Sequence, residues 1–108
     1  MSITSKVRQS VVLAADGQVQ ALVAGSAANI TKANIMTIYG QASAADAEIK
    51  LYNTIGSTAA SALIFHGKFG AAANEFKEFK LPGAGIYADT GIYATLTNCD
   101  FFYIVGTF

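Results

Sequence analysis

Charge is what this chain has least of. Only 13% of its 108 residues are Asp, Glu, Lys or Arg, about half the ~25% usual for soluble domains. Seven cations balance seven anions, so the net charge is zero. A neutral chain lacks the basic patch that a nucleic-acid binder needs. There is no tryptophan, and there is one proline, one histidine and one cysteine. A lone cysteine excludes an intrachain disulfide, and one His with one Cys cannot make a zinc site alone. No apolar run reaches the ~18–20 residues of a membrane-spanning helix. The segment Met1 to Arg8 is not followed by the apolar stretch of a secretion signal. Synthesis in a reducing cytoplasm and no membrane partner are therefore expected. Hydrophobic residues make up 53% of the chain, which excludes the charge-rich, apolar-poor composition of disorder. One domain spanning 1–108 is expected, since domains cluster near ~100–150 residues.

What is present alternates like strand. Ala47–Asn53 puts Ala47, Ile49 and Leu51 on one side and Glu48, Lys50 and Tyr52 on the other, a half-buried strand of period two. Asn34–Gly40, Ala62–Phe69 and Phe101–Phe108 are rich in β-branched and aromatic residues. Ala15-Asp16-Gly17 between two apolar runs, Lys6–Ala14 and Gln18–Ala24, predicts a hairpin. Gly25–Lys32, Gln41–Asp46 and Thr54–Ser61 read as loops or turns. Glu75–Leu81 is read as a bulged strand rather than a short helix, because Pro82-Gly83 truncates it. Gly85-Ile86-Tyr87-Ala88 recurs six residues on as Gly91-Ile92-Tyr93-Ala94. The doublet predicts either a tight hairpin, with Gly91 at positive φ, or one strand bent at Gly91. Eight or nine short strands with regular turns argue for an all-β fold, an antiparallel, jelly-roll-like β-sandwich.

Residues that could carry chemistry are sparse. His66 could act as a base, but it shares a strand face with Lys68 and lacks a nucleophile motif. Cys99 has no thiolate-stabilising neighbour in sequence and reads as a structural thiol. Gly83-Ala84-Gly85-Ile86-Tyr87-Ala88 matches G-x-G-x-x-A formally, yet no helix follows to hold a phosphate. Asp46 and Glu48 read as a solvated pair in preference to a weak calcium site. Asn29-Ile30-Thr31 reads as a polar turn. Tyr52, Tyr87 and Tyr93 could form a carbohydrate platform, although cross-strand pairing is the simpler reading. No catalytic residue, metal or cofactor is expected.

The outward residues are more telling. In Phe101–Phe108, Phe101, Tyr103 and Val105 alternate with Phe102, Ile104 and Phe108, and both sets cannot fill one core. Contiguous apolar patches mark interaction surfaces, and an exposed apolar terminal strand is an edge hazard. Phe101, Phe102, Tyr103, Ile104 and Val105 are therefore the expected contributors to a subunit interface.

Ala47-Glu48-Ile49-Lys50-Leu51-Tyr52-Asn53, the aliphatic strand Ala62-Leu63-Ile64-Phe65 and the Gly85/Gly91 doublet before a terminal strand together resemble small structural proteins of tailed-bacteriophage virions, over roughly residues 33–108. The resemblance implies a β-sandwich on a capsid or tail part, with no catalytic residue. The resembling residues do not fix a head decoration protein, a spike or a tail component; the leading expectation is a capsid decoration protein that forms a homotrimer and partners the major capsid protein or other virion proteins. A tail, adaptor or fibre-tip component is the alternative.

Overall fold

The computed structural model describes residues 6–108. Their regular structure is strand, apart from one short 3-10 turn at Ala60–Ala62. The strands are β1 (Val7–Gln9), β2 (Gly17–Gln18), β3 (Gln20–Val23), β4 (Ser26–Asn29), β5 (Ala33–Ala42), β6 (Glu48–Tyr52), β7 (Leu63–Lys68), β8 (Phe76–Lys80), β9 (Ile86–Ala88), β10 (Tyr93–Thr97) and β11 (Cys99–Thr107).

A first sheet runs β1-β11-β5-β8, with β9 continuing beside β5 beyond β8. A second sheet runs β2-β10-β6-β7, and β3 pairs only with β4. Every pairing is antiparallel. Apart from the β6–β7 hairpin and the β8–β9 step, each connection between the two large sheets crosses from one to the other. If β8 and β9 count as one interrupted strand, the strand order is that of a jelly roll. The β3–β4 hairpin is an insertion between its second and third strands. Two of the eleven strands thus lie outside the sandwich, which itself has the eight or nine the alternation predicts.

The alternation decides the core. Phe102, Ile104 and Ile38 of the first sheet meet Ile49, Leu51 and Ala94 of the second, and all are fully buried. Full burial of a large aliphatic or Phe side chain is worth roughly 1.5–3 kcal/mol. Ala47, Ile49 and Leu51 face inward as their period-two spacing predicts. Phe65 and Phe69 each meet Phe79 edge to face, at 5.4 and 5.6 Å, closing the core beneath β7 and β8.

Several expectations are corrected. The terminal strand β11 is no edge: β1 covers one side and β5 the other. Its inward residues Phe102 and Ile104 fill the core, while Phe101, Tyr103 and Val105 are apolar on the outward face. Lys6–Ala14 and Gln18–Ala24 do not form a hairpin across Asp16-Gly17. The first run supplies β1 to the first sheet, and Asp16 Oδ1 accepts the Leu96 N–H at 2.7 Å. The real hairpin lies one turn later, where a loop was expected. Ala24 and Gly25 both take positive φ, 51° and 84°, the requirement of a type I′ turn.

Glu75–Leu81 yields a strand without a bulge, Thr37 to Gln41 pairing in unbroken register with Lys80 to Phe76. Three irregularities fall elsewhere, the first leaving Asp100 over between Cys99↔Ala42 and Phe101↔Gln41. β11 steps from Val105↔Thr37 to Gly106↔Ile35, leaving Met36 over. β7 steps from Phe65↔Leu51 to Leu63↔Tyr52, leaving Ile64 over. Each extra residue reverses the face of the residues beyond it, so Ile35 and Ile38 are both buried while Leu63, two residues from the core-packed Phe65, is 41% exposed.

The Gly-Ile-Tyr doublet is neither a hairpin nor one bent strand, because its halves belong to different sheets. Ile86–Ala88 pairs with β5, and Tyr93–Thr97 pairs with β6. Asn53, just past β6, pins the corner between them. Its Oδ1 accepts from the N–H groups of Asp89, Thr90 and Gly91, and its Nδ2 donates to Asp89 at 2.8 Å. The bond from Asn53 Nδ2, with one from the Thr90 hydroxyl, holds the Asp89 carboxyl below its ordinary value. Gly91 is not at positive φ. It is glycine because a Cβ there would lie 2.6 Å from the Thr54 carbonyl oxygen.

Candidate interaction surface

The outer faces of the two sheets differ in kind. On the first sheet, register aligns outward residues in rows: Phe76–Gln41–Phe101, Glu78–Tyr39–Tyr103, and Lys80–Thr37–Val105–Gln9. Four aromatic rings join across three strands. Tyr39 stacks on Tyr103 at 5.0 Å and 22°, and on Phe76 at 6.1 Å and 23°. Phe76 meets Phe101 at 6.4 Å. Phe76 is 52% exposed, and Val7, beyond Thr107 on the same face, is 61% exposed. Within these rows the charged side chains are Glu78 and Lys80, both on the edge strand and 3.8 Å apart. A hydrogen bond to the Glu78 carboxylate, helped by desolvation, raises the Tyr39 hydroxyl above its ordinary pKa.

The second sheet's outer rows are Thr97–Glu48–Lys68, Thr95–Lys50–His66 and Tyr93–Tyr52–Leu63. Its centre sets one carboxylate, Glu48, among Lys50, Lys68 and His66. Glu48 Oε1 pairs with His66 Nε2, and this bond, with His66, Lys50 and Lys68 around it, lowers the Glu48 pKa. Cross-strand opposite charges suit a sheet face left in water.

Of the five residues expected at an interface, the structure separates two sets. Phe101, Tyr103 and Val105 lie on the aromatic outer face. Phe102 and Ile104 are fully buried core and have no surface to offer a partner. The strict alternation of a central strand imposes that division. Tyr39 and Phe76 complete the face and were not among the five. The signal for Phe76 was present: in a strand, residues 76 and 79 point to opposite faces, so one Phe had to lie outside.

The other candidates separate. His66 contacts Glu48 on the solvent face and no nucleophile. Cys99 is half-buried at the start of β11, its Sγ near the carbonyls of Glu48 and Thr97 at 3.5 Å each, and desolvation raises its pKa. Gly83 to Ala88 leads into β9, so no helix N-terminus awaits a phosphate. Asp46 is exposed, and the described residues hold no group of three or more His, Cys, Asp or Glu able to ligate a metal. Asn29 lies in β4 rather than a turn, its Oδ1 accepting from Gln20 Nε2 at 3.0 Å. Tyr52 and Tyr93 are cross-strand neighbours on the second sheet, Tyr52 being buried, while Tyr87 projects from β9 of the first. These three do not share a platform. The clefts are shallow; a larger one, about 300 Å³, lies between the β3–β4 hairpin and Phe108, with Arg8 and Lys32 at its rim.

A scan against protein-family models finds no match, and searches of the curated proteins and of the solved structures find no significant similarity.

Proposed function

We propose that this chain is a virion structural protein of a tailed bacteriophage, a capsid decoration protein that self-associates as a homotrimer and docks on the major capsid protein to stabilise the shell. The observation that carries this reading is the contrast between the two outer faces. One presents joined aromatic rings with charge only at its edge; the other presents paired charges. Jelly rolls include viral coat and lectin domains, so the fold alone does not choose a function. The ring geometry does bear on the choice. At 5.0–6.1 Å and about 22° the rings of Tyr103, Tyr39 and Phe76 stack on one another. Stacked rings turn edges outward, whereas a sugar-binding platform needs open ring faces. An aromatic centre with a polar rim is the pattern of a protein–protein contact.

The size of the face fits a multivalent role. Four strands ~4.8 Å apart, over seven residues at ~3.4 Å each, give a footprint of roughly 450 Å². A standard interface needs about 800 Å² per partner. Such a contact is weak singly and becomes firm when many linked copies bind together. The test is co-sedimentation and imaging of the purified chain with expanded capsids of the phage that encodes it. Saturable binding at regular capsomer positions, lost in Tyr103→Lys, is expected. No recruitment to capsids would overturn the reading, and binding to tails alone would move the protein to the tail.

A further inference from the structure

The outer edge of β4 is open, and none of its four residues carries a charge. The longer edge strands carry charges, Lys68 on β7 and Lys77, Glu78 and Lys80 on β8, as β1 carries Arg8; the uncharged β2 and β9 are shorter than β4. Charged edge residues oppose strand addition. From Gly17 to Thr31 the chain carries no charge at all, and all four residues of β4 are exposed.

The register says which backbone groups point out. A two-residue turn joins Val23 to Ser26, so those residues exchange hydrogen bonds. Alternation then makes Ala21–Ala28 the next hydrogen-bonded pair, and the Ile30 N–H, bonded to the Val19 carbonyl at 3.1 Å, continues the series. Ala27 and Asn29 therefore direct N–H and C=O away from β3. On the opposite edge of the hairpin, the outward carbonyl of Gln20 is taken by the Val11 N–H at 2.8 Å. Among the described residues, none bonds the outward N–H and C=O groups of Ala27 and Asn29.

We propose that β4 pairs antiparallel with β4 of a second copy across a two-fold axis, giving an inter-subunit sheet ordered β3-β4-β4-β3. The second copy fits because the open groups are symmetric about Ala28. One two-fold operation sets Ala27 opposite Asn29 twice and satisfies the outward N–H and C=O groups of both residues. Ala28 then meets Ala28 of the other copy as a non-hydrogen-bonded pair, ~4.5 Å between Cα atoms, where a methyl group fits and no charge meets its like. The contact uses neither outer face and does not rest on the decoration reading. In a shell-bound lattice it would link one trimer to the next.

The test uses the full chain in a Cys99→Ser background. Ala28→Cys places two thiols within the ~4.4–6.8 Å Cα range of a disulfide, so mild oxidation should give a covalent dimer. Ala27→Pro removes one outward N–H without touching the β3 ladder. It should cut cross-linking of Ala28→Cys by at least tenfold while the melting transition stays put. Tyr103→Lys, which disables the aromatic face, should leave cross-linking intact. A folded Ala28→Cys that stays uncrosslinked at millimolar concentration, or cross-linking indifferent to Ala27→Pro, would overturn the proposal. So would cross-linking that Tyr103→Lys abolishes. If Ala28→Cys does not fold, amide exchange of the native chain decides: slower exchange at Ala27 and Asn29 at high concentration supports pairing, and unchanged exchange refutes it.

Discussion

The first sheet's outer face stacks Tyr103, Tyr39 and Phe76 and meets Phe101; the second's opposes Glu48 to Lys68 and Lys50 to His66. Both belong to antiparallel sheets over one shared core, so the fold requires neither character. On the proposed reading, the difference reflects what each face meets. A sheet face in water gains from ions that keep their hydration. A face meant to be covered gains from rings whose burial costs no desolvation of charge. The low charge of the whole chain is therefore unevenly placed, and its scarcity is sharpest on the first sheet's outer face and on the β3–β4 arm.

Substitutions on one strand separate core from face most sharply. Phe102→Ala should cost about 3–5 kcal/mol, the range for emptying a buried Phe site. Phe101→Ala, one residue away and on the outer face, should cost roughly 1 kcal/mol or less. Urea unfolding of the two variants reads the difference directly, and equal losses would erase the division between core and face. Next in size, a lysine on each face compares the faces themselves. Tyr103→Lys should weaken docking on shells by about 30-fold, a hot-spot loss of about 2 kcal/mol. Thr95→Lys, on the charged face, should leave docking within about twofold. Comparable losses from both would mean that the faces are not functionally distinct.

The smallest effects are those of pH, and they run in opposite directions. Glu48 has a depressed folded-state pKa, chiefly through its hydrogen bond with His66. Its contribution is complete above the ordinary glutamate value and is lost as pH falls through the depressed one. Tyr39 has a raised pKa, chiefly through Glu78. Its contribution is complete below the ordinary tyrosine value near 10.0 and is lost as pH rises through the raised one. Both groups are solvent-screened, so each effect is small. Glu48→Gln should remove part of the acid-side slope of stability, and Tyr39→Phe part of the alkaline-side slope. Interchanged slopes would contradict the assigned partners.

Much of this was legible without the structure. The all-β class, the inward set Ala47, Ile49 and Leu51, and the strands at Asn34–Gly40 and Phe101–Phe108 follow from period-two spacing, a local property. Glu75–Leu81 could be read as strand because Pro82-Gly83 leaves no room for a helix. The hairpin at Ser26–Asn29 was not legible, because small polar residues carry weak strand preference and a pairing partner decided for them. Nor were the bulges at Met36, Ile64 and Asp100, since a bulge is defined by the facing strand. The interface residues divided for the same reason. Alternation places Phe102 and Phe101 on opposite faces but cannot say which face is inside.

The sequence by itself determined that strands form, how their side chains alternate and how little charge is available to cover them. These depend on backbone sterics and neighbours within a few residues. Only the tertiary structure decided that β11 lies in the middle of its sheet, that the two Gly-Ile-Tyr segments part into different sheets, and that Tyr39, Phe76, Phe101 and Tyr103 meet. Those outcomes rest on pairings between residues distant in sequence, where a whole sheet must fit before any one strand's neighbour is chosen.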